Sequence, residues 1–264
     1  MSSNHTYSVF SKAWHALSIP ELGAALKDLG FNGVELALRP GFHGLGPENT
    51  DKLPEAARGL EEFGVKIRAV AGPLDEPTIA ACGEAGIPFV RICAEVCNNG
   101  SNFFDDVTEH QKHWDSLLPS LESAGVAILV QNHFSPSLAN AAELLFALQK
   151  YDPRHVCAAW DAGHSGLEGS RVPQELDIIA SHMRVLVLKS AFYNRVSAAD
   201  DPVAEWGLSW TTGRQGRAEW PWVAEELKKR GFAGDIFLSA EYDDFDAAPT
   251  LVREDIEWAK ELFA

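Results

Sequence analysis

The chain has 264 residues, 46% of them hydrophobic, which is enough to bury a substantial core in one large α/β unit. A formal charge of −16 excludes nucleic acid as a partner, because phosphate binding needs clustered Lys and Arg, and it disfavours an anionic membrane surface for the same reason. Four cysteines without C-x-x-C spacing, an opening segment with no apolar leader and no membrane-length apolar run give the expectation of a reduced, cytoplasmic protein.

In chain order, "TYSVFSK" (6–12) is the first strand candidate. A phrase then recurs: an amphipathic stretch, a Gly, and a short apolar run with a polar end. It stands at 26–38 ("LKDLGFNGVELAL"), 60–70 ("LEEFGVKIRAV"), 82–95 ("CGEAGIPFVRICAE") and 121–133 ("LESAGVAILVQNH"). "HVCAAWDAGH" (155–164) and "RVLVLKS" (184–190) follow, and the phrase returns at 227–243 ("LKKRGFAGDIFLSAEYD"). Gly is the usual residue just past a helix end, where the chain turns left-handed. The apolar runs do not alternate cleanly, as suits parallel strands covered on both faces. Cys93 and Cys157 lie in such runs and read as buried thiols. Helical patterns include 20–29, 118–124, 140–151, 220–230 and 251–264.

Eight strand candidates with helices between them predict one (β/α)8 barrel over residues 1–264, closed by the helix at 251–264. A doubly wound sheet is less suited to eight strands in one domain. It also lacks support here, because no G-x-G-x-x-G follows the first strand.

In a barrel the chemistry sits at the carboxyl ends of the strands. Those ends carry Lys12, Glu35, Arg39, Arg91, Glu95, Gln131 to His133, Asp161 to His164, Lys189 and Glu241 to Asp244. Each alone has a bland explanation: Lys12 and Arg91 as ion-pair partners, Glu35 facing a neighbouring Arg. Four successive strands, however, end in Gln131, Asp161, Lys189 and Glu241, and neighbouring strands lie about 5 Å apart. Burying that many polar groups together is costly unless they serve each other, a ligand or an ion.

These ends, with "LGFNGVEL", "QNH", "DAGH" and "GRQGRAEWPWVAEELKKRGFAGDIFLSAE", resemble the xylose-isomerase-like TIM barrels, a broad group of sugar and sugar-phosphate isomerases and epimerases. The resemblance covers nearly the whole chain. It implies a divalent metal held by Glu, Asp, His and Glu from the last four strands. Those positions are Gln131, Asp161, Val187 and Glu241 here, so two of the four ligands are altered. The Asp-x-x-His spacing implies a substrate-binding role for His164.

The chemistry implied is movement of a proton next to a carbonyl, with Glu241 as a base. Lys189 could supply positive charge or form a Schiff base, but the metal-binding relatives carry a Lys there too, so the preferred reading gives it no new task. Gln131 cannot be a base; it can hydrogen-bond a sugar hydroxyl with donor and acceptor. Glu35, His133, His164 and Arg217 are the expected substrate contacts. Arg217 and Arg214 lie in the stretch 198–220, read as an irregular pocket-covering loop, and are candidates for an anionic substrate group. Trp160 precedes Asp161 and by strand alternation packs away from the pocket.

The expected partner is a small carbohydrate, sugar phosphate or cyclitol, with homo-oligomerisation left open. A lyase acting through one base and a non-catalytic carbohydrate-binding barrel are the alternatives. No tightly bound cofactor is expected; Asp161, Glu241 and Gln131 could hold Mn or Mg weakly. If each lost ligand costs a few kcal/mol, affinity falls by several powers of ten, since about 1.4 kcal/mol is tenfold. The double change Gln131→Glu with Val187→His is therefore expected to create tight Mn binding, and either change alone less. Elemental analysis after purification without added metal should find under one transition ion per wild-type chain. A full equivalent held at Asp161 and Glu241 would overturn this.

Overall fold

The computed structural model describes residues 5–134 and 136–264, so the first four residues of the opening segment lie outside it. The strands are β1 (Tyr7–Phe10), β2 (Gly33–Ala37), β3 (Lys66–Ala71), β4 (Phe89–Ile92), β5 (Ala127–Gln131), β6 (Val156–Asp161), β7 (Met183–Leu188), β8 (Ser190–Arg195), β9 (Trp206–Thr211) and β10 (Asp235–Leu238). Eight of them close into a parallel barrel in the order β1-β10-β7-β6-β5-β4-β3-β2. The predicted (β/α)8 barrel is the observed fold.

Strand alternation divides the buried residues into two shells. Ala69, Ala127, Leu129, Cys157, Ala159, Val185, Val187 and Phe237 point inward and fill the barrel. Ile128, Val130, Ala158, Trp160, Leu186 and Leu188 point outward, into the layer beneath the helices. As expected, Trp160 faces away from the mouth; it is buried, and its indole N–H donates to Glu175.

The outer layer is α1 (Ile19–Leu29), α2 (Leu53–Glu61), α3 (Glu76–Glu84), α4 (Phe103–Ala124), α5 (Ala141–Leu148), α6 (Ala162–Leu167), α7 (Val172–Ile179), α8 (Trp220–Lys229) and α9 (Ala248–Phe263). In α1, Ser18 and Glu21 form a capping box, and Leu22, Leu26 and Leu29 give the helix its buried stripe. Gly125 ends α4 at φ +67°, a conformation that needs no Cβ, and sends the chain into β5.

Three sequence expectations are corrected. The helix read at 118–124 is only the last part of the 22-residue α4; its Pro119 lies on the exposed face, where solvent can take the freed carbonyl. The stretch 198–220 is not irregular throughout, because β9 pairs antiparallel with β8 from Ser190↔Thr211 to Arg195↔Trp206. A long connection between the two arms carries no two-residue turn signal, which hid the hairpin from a sequence reading. Cys157 is buried as expected, but Cys93 is only partly so.

Leu129 is fully buried inside the barrel, one layer below Gln131. Leu129→Ala is expected to cost about 2–5 kcal/mol, measured by urea unfolding. A loss under about 1 kcal/mol would mean that the interior is not packed as described.

Candidate active site

Three neighbouring strands, β1, β10 and β7, deliver the strongest charges to the barrel mouth. Lys12 follows β1, Lys189 follows β7, and Glu241 lies three residues past β10. Glu241 Oε1 accepts from Lys12 Nζ at 3.0 Å, and Oε2 accepts from Lys189 Nζ at 2.8 Å. Burial works against the Glu241 charge, yet the two ammonium groups outweigh it and hold the carboxyl down at about 2. Ala240, just before it, adopts φ +50°, a left-handed conformation that costs a residue with a Cβ roughly 1–2 kcal/mol. Strain of that kind persists only where the surroundings enforce it, and here it sets the position of Glu241.

Gln131 and Asp161 are the last residues of β5 and β6, and both point inward. Gln131 Nε2 donates to Asp161 Oδ2 at 2.7 Å, and the backbone N–H of His164 donates to Oδ1 at 3.0 Å. Asp161 thus caps α6, so the Asp-x-x-His spacing is also that of an N-cap and the N–H it satisfies. Burial pushes Asp161 up to about 6, against the pull of Lys189 and of these hydrogen bonds. Asn132 faces outward, where its side chain accepts from the Asp161 N–H at 2.6 Å and donates to Ser165 Oγ at 3.1 Å. Asn132 therefore braces β6 and α6 from behind.

The remaining wall is aromatic. The His164 ring is buried, 4.1 Å from the His133 ring between centroids, and Phe134 and Trp210 pack against it at 5.3 and 5.7 Å. Among the described residues neither ring nitrogen of His164 has a hydrogen-bond partner, an arrangement that a buried imidazole sustains only at a cost unless a ligand serves it. Burial, then the charge of Lys189, keeps this imidazole neutral; burial likewise lowers His133. Trp210 comes from β9 and lies over the mouth with Lys189 Nζ 4.2 Å from its ring centre. Its N–H donates to Asp243 Oδ1, and its carbonyl accepts from the Asp243 N–H. Gly163 makes room for the Lys189 stem, since a Cβ there would come within 2.5 Å of Lys189 Cγ.

Most of the sequence-read residues converge, but not all. Glu35 is buried and takes the guanidinium of Arg91 as an ion-pair partner. Arg217 is exposed and lines a separate cavity of about 160 Å³ with Trp160, Ser165 and Trp222, beyond α6. Arg214 stacks on Trp258 of α9, away from the mouth. The position of Lys12 beside Glu241 and the closing role of Trp210 were not legible in sequence; both depend on which strands become neighbours.

Four positions correspond to the metal ligands that the resemblance implies, and their chemistry does not fit a divalent ion. Val187 offers no donor, and Gln131 turns its amide nitrogen, not its oxygen, toward Asp161. Each Glu241 oxygen is engaged by an ammonium. Among the described residues no group of three or more His, Cys, Asp or Glu is arranged to hold a metal. A hard ion needs anionic oxygens free to converge on it.

Fold and strand-end chemistry together define a (β/α)8 barrel with a polar mouth at its carboxyl face. The chain belongs to the xylose isomerase-like TIM barrel family, whose profile matches residues 24–262. Among solved structures it is similar to the 3-keto-D-glucoside 4-epimerase YcjR from E. coli in its apo form, at 13% identity and TM-score 0.73, covering 98% of this chain and 100% of that one. It is also similar to a D-psicose 3-epimerase from Clostridium cellulolyticum H10 crystallised with D-tagatose, at 12% identity and TM-score 0.73, covering 98% and 99%. An L-ribulose 3-epimerase matches at 13% identity and TM-score 0.73, covering 98% and 94%. At these identities the likeness is one of fold. No curated protein matches the chain in sequence.

The Asp161 carboxyl moves from an ordinary 3.8 to about 6, so folding favours its neutral form. The stability this gives is present below about pH 4 and is lost as pH rises through 6. Asp161→Asn, neutral throughout, is expected to gain on the wild type by roughly 3 kcal/mol between pH 4 and pH 7.5, at about 1.4 kcal/mol per pKa unit. Gln131 can turn its amide to meet the new side chain. Denaturant unfolding at both pH values measures the difference, and a difference that does not change with pH would refute the burial argument.

Proposed function

We propose that this chain is an enzyme that moves a proton next to the carbonyl of a small carbohydrate or cyclitol, as an isomerase or epimerase, without a resident divalent ion. The observation that carries the reading is Glu241, a carboxylate at the mouth with an ammonium on each oxygen. An incoming carbonyl oxygen competes with Glu241 for the N–H donors of Lys189 and Lys12. As those donors turn to the substrate, Glu241 loses the charges that suppress its basicity and can take a proton from the adjacent carbon. The C–H electrons form the enediolate double bond, and the oxyanion sits against the ammonium groups. Return of the proton from Glu241 to the former carbonyl carbon, with the hydroxyl proton of the other carbon passing to the oxyanion, completes an isomerisation. The neutral His164 ring, without a hydrogen-bond partner among the described residues, and the amide oxygen of Gln131 are the candidate contacts for substrate hydroxyls. Trp210 and Phe134 offer apolar faces to the C–H side of a sugar.

A lyase is the second reading, and one observation favours it. Of the three inward carboxylates, Glu241 is 26% exposed, while Glu35 and Asp161 are 6% and 0% exposed. Elimination beside an enolate needs one base and no proton return to the opposite face. The acidic surface and the four unpaired cysteines, two of them buried, support a reduced intracellular setting.

Wild-type protein is expected to exchange the carbon-bound proton of at least one ketose or ketocyclitol in deuterated water, followed by NMR. Glu241→Gln should slow that exchange by about 10²- to 10⁴-fold, the usual span for a lost general base, without unfolding the chain. Unaltered exchange in the variant would remove Glu241 from the mechanism. No exchange or elimination by the wild type across a broad panel would leave a carbohydrate-binding barrel.

A further inference from the structure

Beside the carboxyl ends of β2, β3 and β4 lies a cavity of about 560 Å³, lined by Leu38, Arg39, Ala71, Arg91 and Cys93 among others. Its size falls within the range of small-molecule sites. Two guanidinium groups line it and each lies against the same aromatic ring: Arg91 Cζ is 5.0 Å and Arg39 Cζ 5.8 Å from the centre of Phe10. Arg91 shares its charge with Glu35, and among the described residues one of its terminal nitrogens reaches only the Cys93 sulfur, at 3.6 Å. Arg39 has no ion-pair or hydrogen-bond partner among the described residues; it rests on the rings of Phe10 and Phe42, each 5.8 Å away.

The charge pattern is unusual for this chain. With a net charge of −16, an exposed Arg has abundant carboxylates available for pairing. Arg39 is instead held by aromatic rings at the mouth, where Lys12 and Lys189 already share the single carboxylate of Glu241. The mouth sets Lys12, Lys189, Arg39 and Arg91 against Glu241, Glu35 and Asp161, one cation more than carboxylates on an otherwise acidic chain, and a local excess of positive charge concentrates anions. Planar guanidinium forks suit a carboxylate or a phosphate, which they bind through paired N–H donors.

We propose that Arg39 and Arg91 form a subsite for the anionic terminus of the substrate, a carboxylate or a phosphate, at the β2–β4 side of the mouth. The substrate is then a sugar acid or a sugar phosphate whose carbonyl end reaches Glu241. β1 links the two regions: Phe10 contacts both arginines, and Lys12, two residues on, contacts Glu241. This assignment rests on the proton-transfer reading only for which end of the substrate is anionic. It replaces Arg214 and Arg217, which the fold places elsewhere.

Calorimetric titration of the full chain tests the subsite without turnover. Glucose, glucuronate and glucose 6-phosphate serve as probes, with inorganic phosphate as the free anion. At least one of the two charged sugars is expected to bind about ten- to a hundredfold tighter than glucose, in line with charge-assisted hydrogen bonds. Which one gains more identifies the anion. Arg39→Met should reduce the preference for the charged sugar at least tenfold, with circular dichroism confirming the fold. If Arg39→Met fails to fold, Arg39→Lys, which keeps the charge and loses the fork, should give an intermediate preference. No preference for either charged sugar, binding of inorganic phosphate that Arg39→Met does not weaken, or a preference unchanged in the folded variant would overturn the proposal. Loss of deuterium exchange would leave this result standing, and the reverse also holds.

Discussion

Eight parallel strands that close on themselves aim their last inward side chains at one another, and charges brought so close must be balanced locally. The pairing of Glu241 with Lys12 and Lys189 is the solution on which the mouth of this barrel depends. It ties together the ends of three adjacent strands and holds a partly buried carboxylate in its charged form. On the Lys189 side, where the ammonium is buried, such a pair stabilises only when its geometry is good, and removing the carboxylate leaves an expensive lone charge. Glu35 and Arg91 apply the same solution between β2 and β4.

Gln131 follows from this balance. Its amide lies 2.7 Å from an Asp161 oxygen. A glutamate at that position would put two carboxylates in contact, and without an ion between them one would have to stay protonated. With valine at 187 the position lacks the imidazole that the resemblance implies for holding such an ion. The amide donates a hydrogen bond where a glutamate would repel, so the two departures from the family pattern are consistent with each other. Asp161, held by Gln131 on one side and the α6 N-terminus on the other, is then chiefly an organiser of the mouth.

The barrel was legible in the sequence because its signal is repeated: a Gly-terminated helix leading into an apolar strand, over and over, with polar residues at consistent strand ends. Gln131, Asp161, Lys189 and Glu241 could be named from those ends, since alternation alone fixes that they face inward. What the sequence could not supply was adjacency around the ring. Lys12 belongs to the first unit and Glu241 to the last, and only closure of the barrel makes them neighbours. Arg217 misled for a related reason. It lies in a stretch that leaves the barrel as the β8–β9 hairpin and returns to the sheet only at β10, so closeness in sequence to Lys189 did not mean closeness to the mouth.

The hairpin also determines the direction from which the mouth is reached. β8 begins one residue after Lys189, and Trp210 on β9 is fastened by two hydrogen bonds to Asp243, two residues beyond Glu241. The covering strand is therefore anchored two residues from the carboxylate it covers, and its Trp210 ring rests on the Lys189 ammonium. Among the described residues no strand pair crosses the β2–β4 side, where Arg39 is exposed, so the rim is strapped on one flank only.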